Sequence, residues 1–422
     1  MKKSNIYLAI TWIVLLLILP IPLVILLNNG LIDSRAHIVS IDLGIFAYVW
    51  WLASVFLATR PRWLVNKIGM PPMYMIHGML GVFAIFAAGI HKFTLNSYHE
   101  IIRNTGNFAW YLAIALVIFA VIFLSGYLAD HFKLFARIKS RLPHQVSLWI
   151  HRLNFVVIGL IWLHVHVIPR IRNVPYFSLV FDLYTLFFLG LYVYQKFIGD
   201  ADMRQSATLV DNKQLAPNVQ QITLKLNDKA DSFKAGDFYF LSFRDKSKRI
   251  SSEKHPFSVA GVASDKVKFI IHKVGDFSKQ IDQVPIGTSV KLEGPFGLFD
   301  QEINEYSDSP IILYALGTGI GPMLSLAEKY ASTRQVHLVW SRGQSENYVK
   351  DRLDELIKQG VRVDQQQHRF NDQQLKETFS RDEINTGIFF IVGSSSVLLK
   401  VRKNLKGLGV ASNRLFDEHL SM

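Results

Sequence analysis

No cysteine occurs in the 422 residues. Disulfides, iron–sulfur clusters, thiolate zinc sites and thiolate-ligated or covalently attached c-type haem are therefore excluded. Charge is also scarce. Asp, Glu, Lys and Arg together make 19% of the chain, against 50% hydrophobic residues. That balance excludes a disordered chain and strains a purely soluble reading. Acidic residues are the rarer sign, 33 against 46 Lys and Arg, giving a formal charge of +13. No basic run with interleaved aromatics accompanies that charge, so nucleic acid is not an expected partner.

The positive charge sits with the apolar half. Residues 1–200 hold 16 Lys+Arg and 6 Asp+Glu, a net of +10, and the remainder holds 30 and 27, a net of +3. Apolar runs lie near 6–28, 38–59, 73–94, 107–129, 147–168 and 176–197. Each is about the ~20 residues that a helix needs to cross the hydrocarbon. The first run has no small-residue cleavage site, so it reads as an anchor. Six crossings put both ends of this half on one side. Lys2, Lys3, Arg60, Arg62, Lys67, Lys133, Arg137, Lys139 and Arg141 fall on that side. Arg35, Lys92, Arg103, Arg170 and Arg172 fall on the other. The bias predicts a multi-pass protein of the cell membrane, with the bilayer as its partner and both ends of this half cytoplasmic.

The composition changes near Gly199–Asp200. Short alternating strands follow, at Val219–Leu226, Asp237–Phe243, Val267–His272 and Ser289–Glu293. From about Ser309 the pattern becomes buried strands, each followed by a helical stretch: 311–315, 336–340 and 387–392. The expected fold is a six-helix membrane bundle, then a small antiparallel β-barrel, then an open α/β sheet. The domain boundaries are 1–199, 200–305 and 306–422.

Histidines inside the apolar runs carry the first chemical signal. His77 and His91 lie fourteen apart on the third run. Fourteen steps of ~100° come within ~40° of whole turns, so both rings face one side, ~21 Å apart along the axis. Between them Gly78, Gly81, Ala84, Ala87, Ala88 and Gly89 leave room for a flat macrocycle or a close helix. The fifth run supplies His151, His164 and His166. Intramembrane ionisable groups are costly and usually functional. Two matched pairs imply two bis-imidazole haems, one at each level of the bilayer. On a regular helix His166 lies ~60° from His151 and His164 ~140° from it. Regular geometry prefers His166, whereas a bulge or tightened turn before Pro169 brings His164 round.

Two nucleotide signals follow in the second half. His255-Pro256-Phe257-Ser258 comes after a strand and a basic turn. About twenty residues on, Gly275-Asp276-Phe277-Ser278 ends a strand and begins a helix, where a hydroxyl and free amides make an anion site. Gly317-Thr318-Gly319-Ile320-Gly321-Pro322 follows the 311–315 strand and suits a pyrophosphate. Ser341 and Arg342 follow the next strand, and an arginine there can meet a ribose 2′-phosphate.

Taken in this order, the motifs resemble the NADPH oxidase and ferric reductase family of transmembrane flavocytochromes b, above all its bacterial NADPH oxidases. The resemblance spans nearly the whole chain. It rests on His77…His91, on His151-Arg152-Leu153-Asn154…His164-Val165-His166 and on His255–Ser258, supported by Gly275–Ser278, Gly317–Pro322 and the Gly393 turn. It implies hydride transfer from NADPH to FAD, then single electrons through two b-type haems to an outside acceptor. That acceptor is dioxygen, giving superoxide, or a ferric chelate. The family's helix-five spacing implies His164 as the ligand, with His166 as the alternate. Ser258 takes the flavin edge as the catalytic residue, His255, Pro256 and Phe257 pack FAD, and the 275–278 loop holds its diphosphate.

Three departures accompany the resemblance. His272, with Lys273 beside it, stands where an arginine is frequent, which predicts weaker FAD binding. Val392-Gly393-Ser394 stands where many members carry cysteine. The chain ends Leu420-Ser421-Met422 rather than on an aromatic that covers the flavin, which leaves NADH open as a second donor. A haem subunit serving a partner or quinone is disfavoured by the fused nicotinamide module, and a six-helix transporter leaves the nucleotide motifs unexplained. No obligatory protein partner is expected.

Overall fold

The computed structural model describes residues 3–31, 37–95, 97–125, 128, 132–139, 141–142, 144–199, 204–227, 233–244, 250–275, 277–343 and 347–419. The chain divides into two compact units, Met1–Asp200 and Ala201–Met422. Asp276 and Met422, both expected near cofactors, lie outside the described residues.

Among the described residues the first unit contains six helices long and apolar enough to cross a membrane, at Ser4–Gly30, Ile38–Leu57, Met70–Thr94, Glu100–Phe123, Gln145–His166 and Pro175–Gly199. The first span is not one regular helix. It runs as α1 (Lys3–Ile13), a π turn at Val14–Ile18, and α2 (Ile21–Gly30). Pro20 and Pro22 remove two backbone donors there. Neighbours satisfy freed carbonyls: the Trp50 indole donates to Leu16 O at 3.3 Å and the Tyr184 hydroxyl to Leu19 O at 3.1 Å. The second span is α3 (Ile38–Leu57), and a short α4 (Arg62–Ile68) leads to the third, α5 (Met70–Thr94). The fourth is α6 (Glu100–Phe123), and α7 (Lys133–Lys139) leads to the fifth.

The fifth span is also broken, as α8 (His144–His151) and α9 (Asn154–His166). Around the break Leu153 N bonds to Ile150 O, Phe155 N to Arg152 O and Val156 N to Leu153 O, at 2.9–3.0 Å. These are three-residue steps, which advance the chain ~120° per residue instead of ~100°. Three such steps add ~60° and carry His164 from ~140° to ~80° of His151. The tightened turn therefore sits beside His151 rather than before Pro169, and the regular-helix phase does not hold. The sixth span opens with α10 (Pro175–Tyr194).

The second unit begins with a closed six-stranded antiparallel barrel in the order β1-β2-β5-β4-β3-β6. Its strands are β1 (Arg204–Ala216), β2 (Val219–Leu226), β3 (Phe238–Arg244), β4 (His255–Ala263), β5 (Lys266–His272) and β6 (Ser289–Phe296). β5 alternates exposed or half-buried with buried residues, as a one-sided strand should. After α11 (Phe299–Glu305) comes a parallel five-stranded sheet, ordered β11-β10-β7-β8-β9. Its strands are β7 (Ile311–Leu316), β8 (Val336–Ser341), β9 (Arg362–Gln366), β10 (Ile388–Gly393) and β11 (Leu415–His419). β7, β8 and β10 are buried at every residue, because helices cover both faces. α12 (Ile320–Tyr330) leads from β7 toward β8, and α13 (Lys350–Lys358) follows β8. Barrel and sheet are tied together: Gly236 N donates to Ser325 Oγ at 2.9 Å, and Arg352 donates to both Ala260 O and Glu328.

Candidate functional site

The first unit brings four of the five expected histidines into two facing pairs. His77 on α5 faces His151 at the end of α8, with ring centroids 5.9 Å apart and planes at 65°. His91 on α5 faces His164 on α9, at 6.3 Å and 87°. Two metal–nitrogen bonds of ~2 Å, plus ~1 Å from each nitrogen to its ring centre, span ~6 Å. Each gap thus fits one metal atom between two imidazoles. Among the described residues no group of three or more His, Asp or Glu is placed to hold a metal ion.

Backbone carbonyls hold the Nδ1 atoms of three of the four rings. Nδ1 of His77 meets Ser54 O at 2.8 Å, Nδ1 of His91 meets Ser40 O at 2.8 Å, and Nδ1 of His164 meets Ile102 O at 3.1 Å. Donation from Nδ1 to a carbonyl leaves Nε2 with a lone pair and fixes the ring. His151 differs: the Asn154 side-chain amide donates to its Nδ1 at 3.3 Å, so this ring is not oriented by a carbonyl as the other three are. Glycine makes space for two of the rings. A Cβ at Gly44 would lie 2.8 Å from His91 Nδ1, and one at Gly106 would lie 3.0 Å from the His164 ring. Gly81, on the histidine face of α5, has nothing within 4 Å of where its Cβ would be. Open room beside paired rings suits a flat macrocycle.

His166 lies elsewhere. Its ring stacks on Trp162 at 4.1 Å, Nδ1 meets Trp162 O at 2.9 Å and Nε2 meets Asp182 at 3.3 Å. The Trp162 indole donates to the same Asp182 oxygen at 2.7 Å.

In the barrel, His255-Pro256-Phe257-Ser258 are the first four residues of β4 itself. His255 stacks on Phe277 at 3.8 Å, and Phe257 lies 6.1 Å from the same ring. Ser258 pairs with Phe238 of β3, and its hydroxyl makes no hydrogen bond to a described residue. The element after Gly275 is a six-residue 3₁₀ turn, Ser278–Gln283, not an α-helix. Ser278 Oγ already accepts from the amides of Val274 at 3.1 Å and Gly275 at 2.9 Å. Lys273 is held by Asp282 at 2.9 Å. His272 is brought to the sheet side, where the Tyr348 hydroxyl donates to its Nε2 at 3.2 Å. Burial lowers the His272 imidazole below its ordinary range, which suits the neutral, accepting ring.

In the sheet, Gly317 turns at φ +56° at the end of β7, and Thr318, Gly319, Ile320, Gly321 and Pro322 lead into α12. A Cβ at Gly319 would lie 2.3 Å from Val392 O, and one at Gly393 would lie 2.7 Å from Leu316 Cβ. Both positions therefore require glycine. Ser341 is buried, with its hydroxyl 3.3 Å from Tyr314, so it faces the core. Arg342 bonds through its backbone N to Gln366 O at 2.9 Å, while its buried Nε has no partner among the described residues. An orphaned buried guanidinium nitrogen fits an anion that has still to arrive.

Comparison with known proteins agrees with the barrel. The family of FAD-binding domains matches residues 205–308, which cover nearly the whole barrel and α11. No curated protein matches the chain. Among solved structures, a ferredoxin NADP+ reductase from Neisseria gonorrhoeae with bound FAD and NADP is 18% identical over 51% of this chain and 98% of its own, with a TM-score of 0.44. The Amycolatopsis cytochrome P450 reductase GcoB is 20% identical over 51% and 69%, at 0.44. A flavohemoglobin from Malassezia yamatoensis with bound FAD and heme is 16% identical over 100% and 99%, at 0.47. Likenesses this distant carry no argument about activity. The second unit carries an FAD-binding β-barrel domain, followed by a parallel five-stranded α/β sheet.

Several contributing residues gave no sequence signal of their own. Gly44, Gly106, Ser40 and Ser54 come from segments far from the histidines they serve, and Tyr348 reaches His272 across the two halves of the module.

Proposed function

We propose that the chain carries electrons across the cell membrane, from cytoplasmic NADPH through FAD and two b-type haems to dioxygen outside, giving superoxide. Two facing histidine pairs, fourteen residues apart on one helix and fused to an FAD-binding barrel, are the observation that carries this reading. When bound, FAD accepts a hydride and releases electrons singly, and the haems pass them between the two levels. One NADPH yields NADP⁺, one proton and two electrons, which reduce two dioxygen molecules.

The residues divide the work. Ser54 and Ser40 carbonyls orient His77 and His91, and Ile102 orients His164. His255, Phe257 and Phe277 form an aromatic wall against which a ring of FAD would pack when bound. The Ser258 hydroxyl is free to orient the reacting edge. The 317–322 turn and Arg342 receive the pyrophosphate and the 2′-phosphate. The cation bias of the loops supports a cytoplasmic reductase unit.

Purified protein tests the class. Two low-spin b-type haems, reduced by NADPH only when FAD is added, are expected, and a preparation that binds no haem overturns the reading. Superoxide dismutase then tests the product. Ferric-chelate reduction that dismutase leaves untouched would assign the acceptor to iron instead.

A further inference from the structure

The loops on the Lys67 side of the first unit form a rim that electron transfer does not use. α4 buries Leu64, Val65 and Ile68 and exposes Arg62, Trp63 and Lys67, with Trp63 57% exposed. Lys67 sits over the Tyr7 ring at 4.7 Å. Beside α7, Phe132 and Leu134 are exposed, as are Arg137 and Arg141. At the start of the fifth span Arg152 lies over Trp149 at 4.5 Å, and Trp149 is exposed. α4 joins spans two and three and the α7 segment joins spans four and five, so alternation puts both on one face of the bilayer.

Bare aromatic rings beside cations are what the headgroup layer accepts: rings at the interface, charge toward phosphate. The first 200 residues of the chain carry a net of +10 and the rest a net of +3. We propose that this rim, built from α4, α7 and the Trp149–Arg152 turn, is a docking surface for anionic phospholipid headgroups. It rests only on the membrane-crossing part of the reading above, so failure of haem binding or of superoxide production leaves it standing.

The test uses the full chain in bilayers of phosphatidylcholine with or without phosphatidylglycerol. Brominated versions of each lipid quench tryptophan fluorescence and report which one occupies the rim. One cation at an anionic surface gives roughly fivefold preference. Phosphatidylglycerol should therefore be preferred at least about fivefold at low salt. The preference should fall toward one near 1 M salt, where the screening length is ~3 Å. Lys67→Gln/Arg137→Gln/Lys139→Gln/Arg141→Gln should abolish it, while Arg170→Gln/Arg172→Gln, on the opposite loops, should leave it intact. Circular dichroism and thermal unfolding check that both variants fold, and the salt series on the unaltered chain decides the matter if the first does not. A preference that survives both salt and the four substitutions overturns the proposal. So does an equal loss in the opposite-loop variant. Unchanged lipid preference with slowed reduction of the first unit by NADPH would assign the rim to docking of the reductase unit instead.

Discussion

Arg342→Ala should separate the two nicotinamide donors. The arginine is anchored by its backbone at the end of β8, its Nε buried and without a partner among the described residues. NADPH carries a 2′-phosphate and NADH does not. A planar guanidinium meets that phosphate through charge-assisted hydrogen bonds, and the orphaned nitrogen then gains the acceptor it lacks. Such a contact contributes ~1.5–3 kcal/mol, or roughly tenfold to a hundredfold in affinity at ~1.4 kcal/mol per decade. Arg342→Ala should raise KM for NADPH by that factor and leave NADH almost untouched. Arg342→Lys should recover only part of the loss, because a point charge does not reproduce the fork. Anaerobic stopped-flow reduction of the flavin, with each donor titrated separately, measures this directly. An equal loss with both donors would refute the reasoning and return Arg342 to a structural part in the β8–β9 turn.

His91→Ala and His77→Ala should each remove one haem while flavin-dependent dye reduction by NADPH persists, and a folded His91→Ala protein with full haem content contradicts the pairing. His164→Ala should change the low-spin spectrum and His166→Ala should not, since the latter ring is held by Trp162 and Asp182. Ser258→Ala should slow flavin reduction more than it weakens FAD binding, and an unchanged rate at saturating FAD and NADPH removes the serine from the chemistry. Asp237 is 3% exposed, and burial pushes its carboxyl up to about 8, with Lys234 and Lys329 pulling down and Asp300 pushing up. A carboxyl raised on folding holds its proton more tightly in the native state, so stability is full at low pH and is lost as pH rises from ~4 toward 8. The reductase unit's melting temperature should therefore fall from pH 5 to pH 9, and Asp237→Asn should flatten that slope; an Asn variant with the same slope assigns it to other groups.

Sequence alone determined the parts that depend on local pattern. The six spans follow from unbroken apolar length, and the lower His77–His91 spacing follows from helical periodicity along one continuous α5. The barrel and the parallel sheet follow from alternating strands and from strands apolar throughout. The tight turns at 317–322 and at Gly393 follow from glycines, two of which have no room for a side chain. What sequence left open was the phase of the fifth span, because a regular helix favours His166. Only the tertiary structure resolved where the turn tightens: three-residue steps at Arg152–Asn154 rotate α9 so that His164 meets His91 while Asp182, from another helix, takes His166. Ser341, expected beside the cofactor with Arg342, shows the same limit from the other direction: it is the last residue of β8 and its buried hydroxyl lies 3.3 Å from that of Tyr314 in the core. In each case the deciding partner is distant in sequence. Periodicity fixes which residues share a face of one element, and packing between elements decides what that face meets.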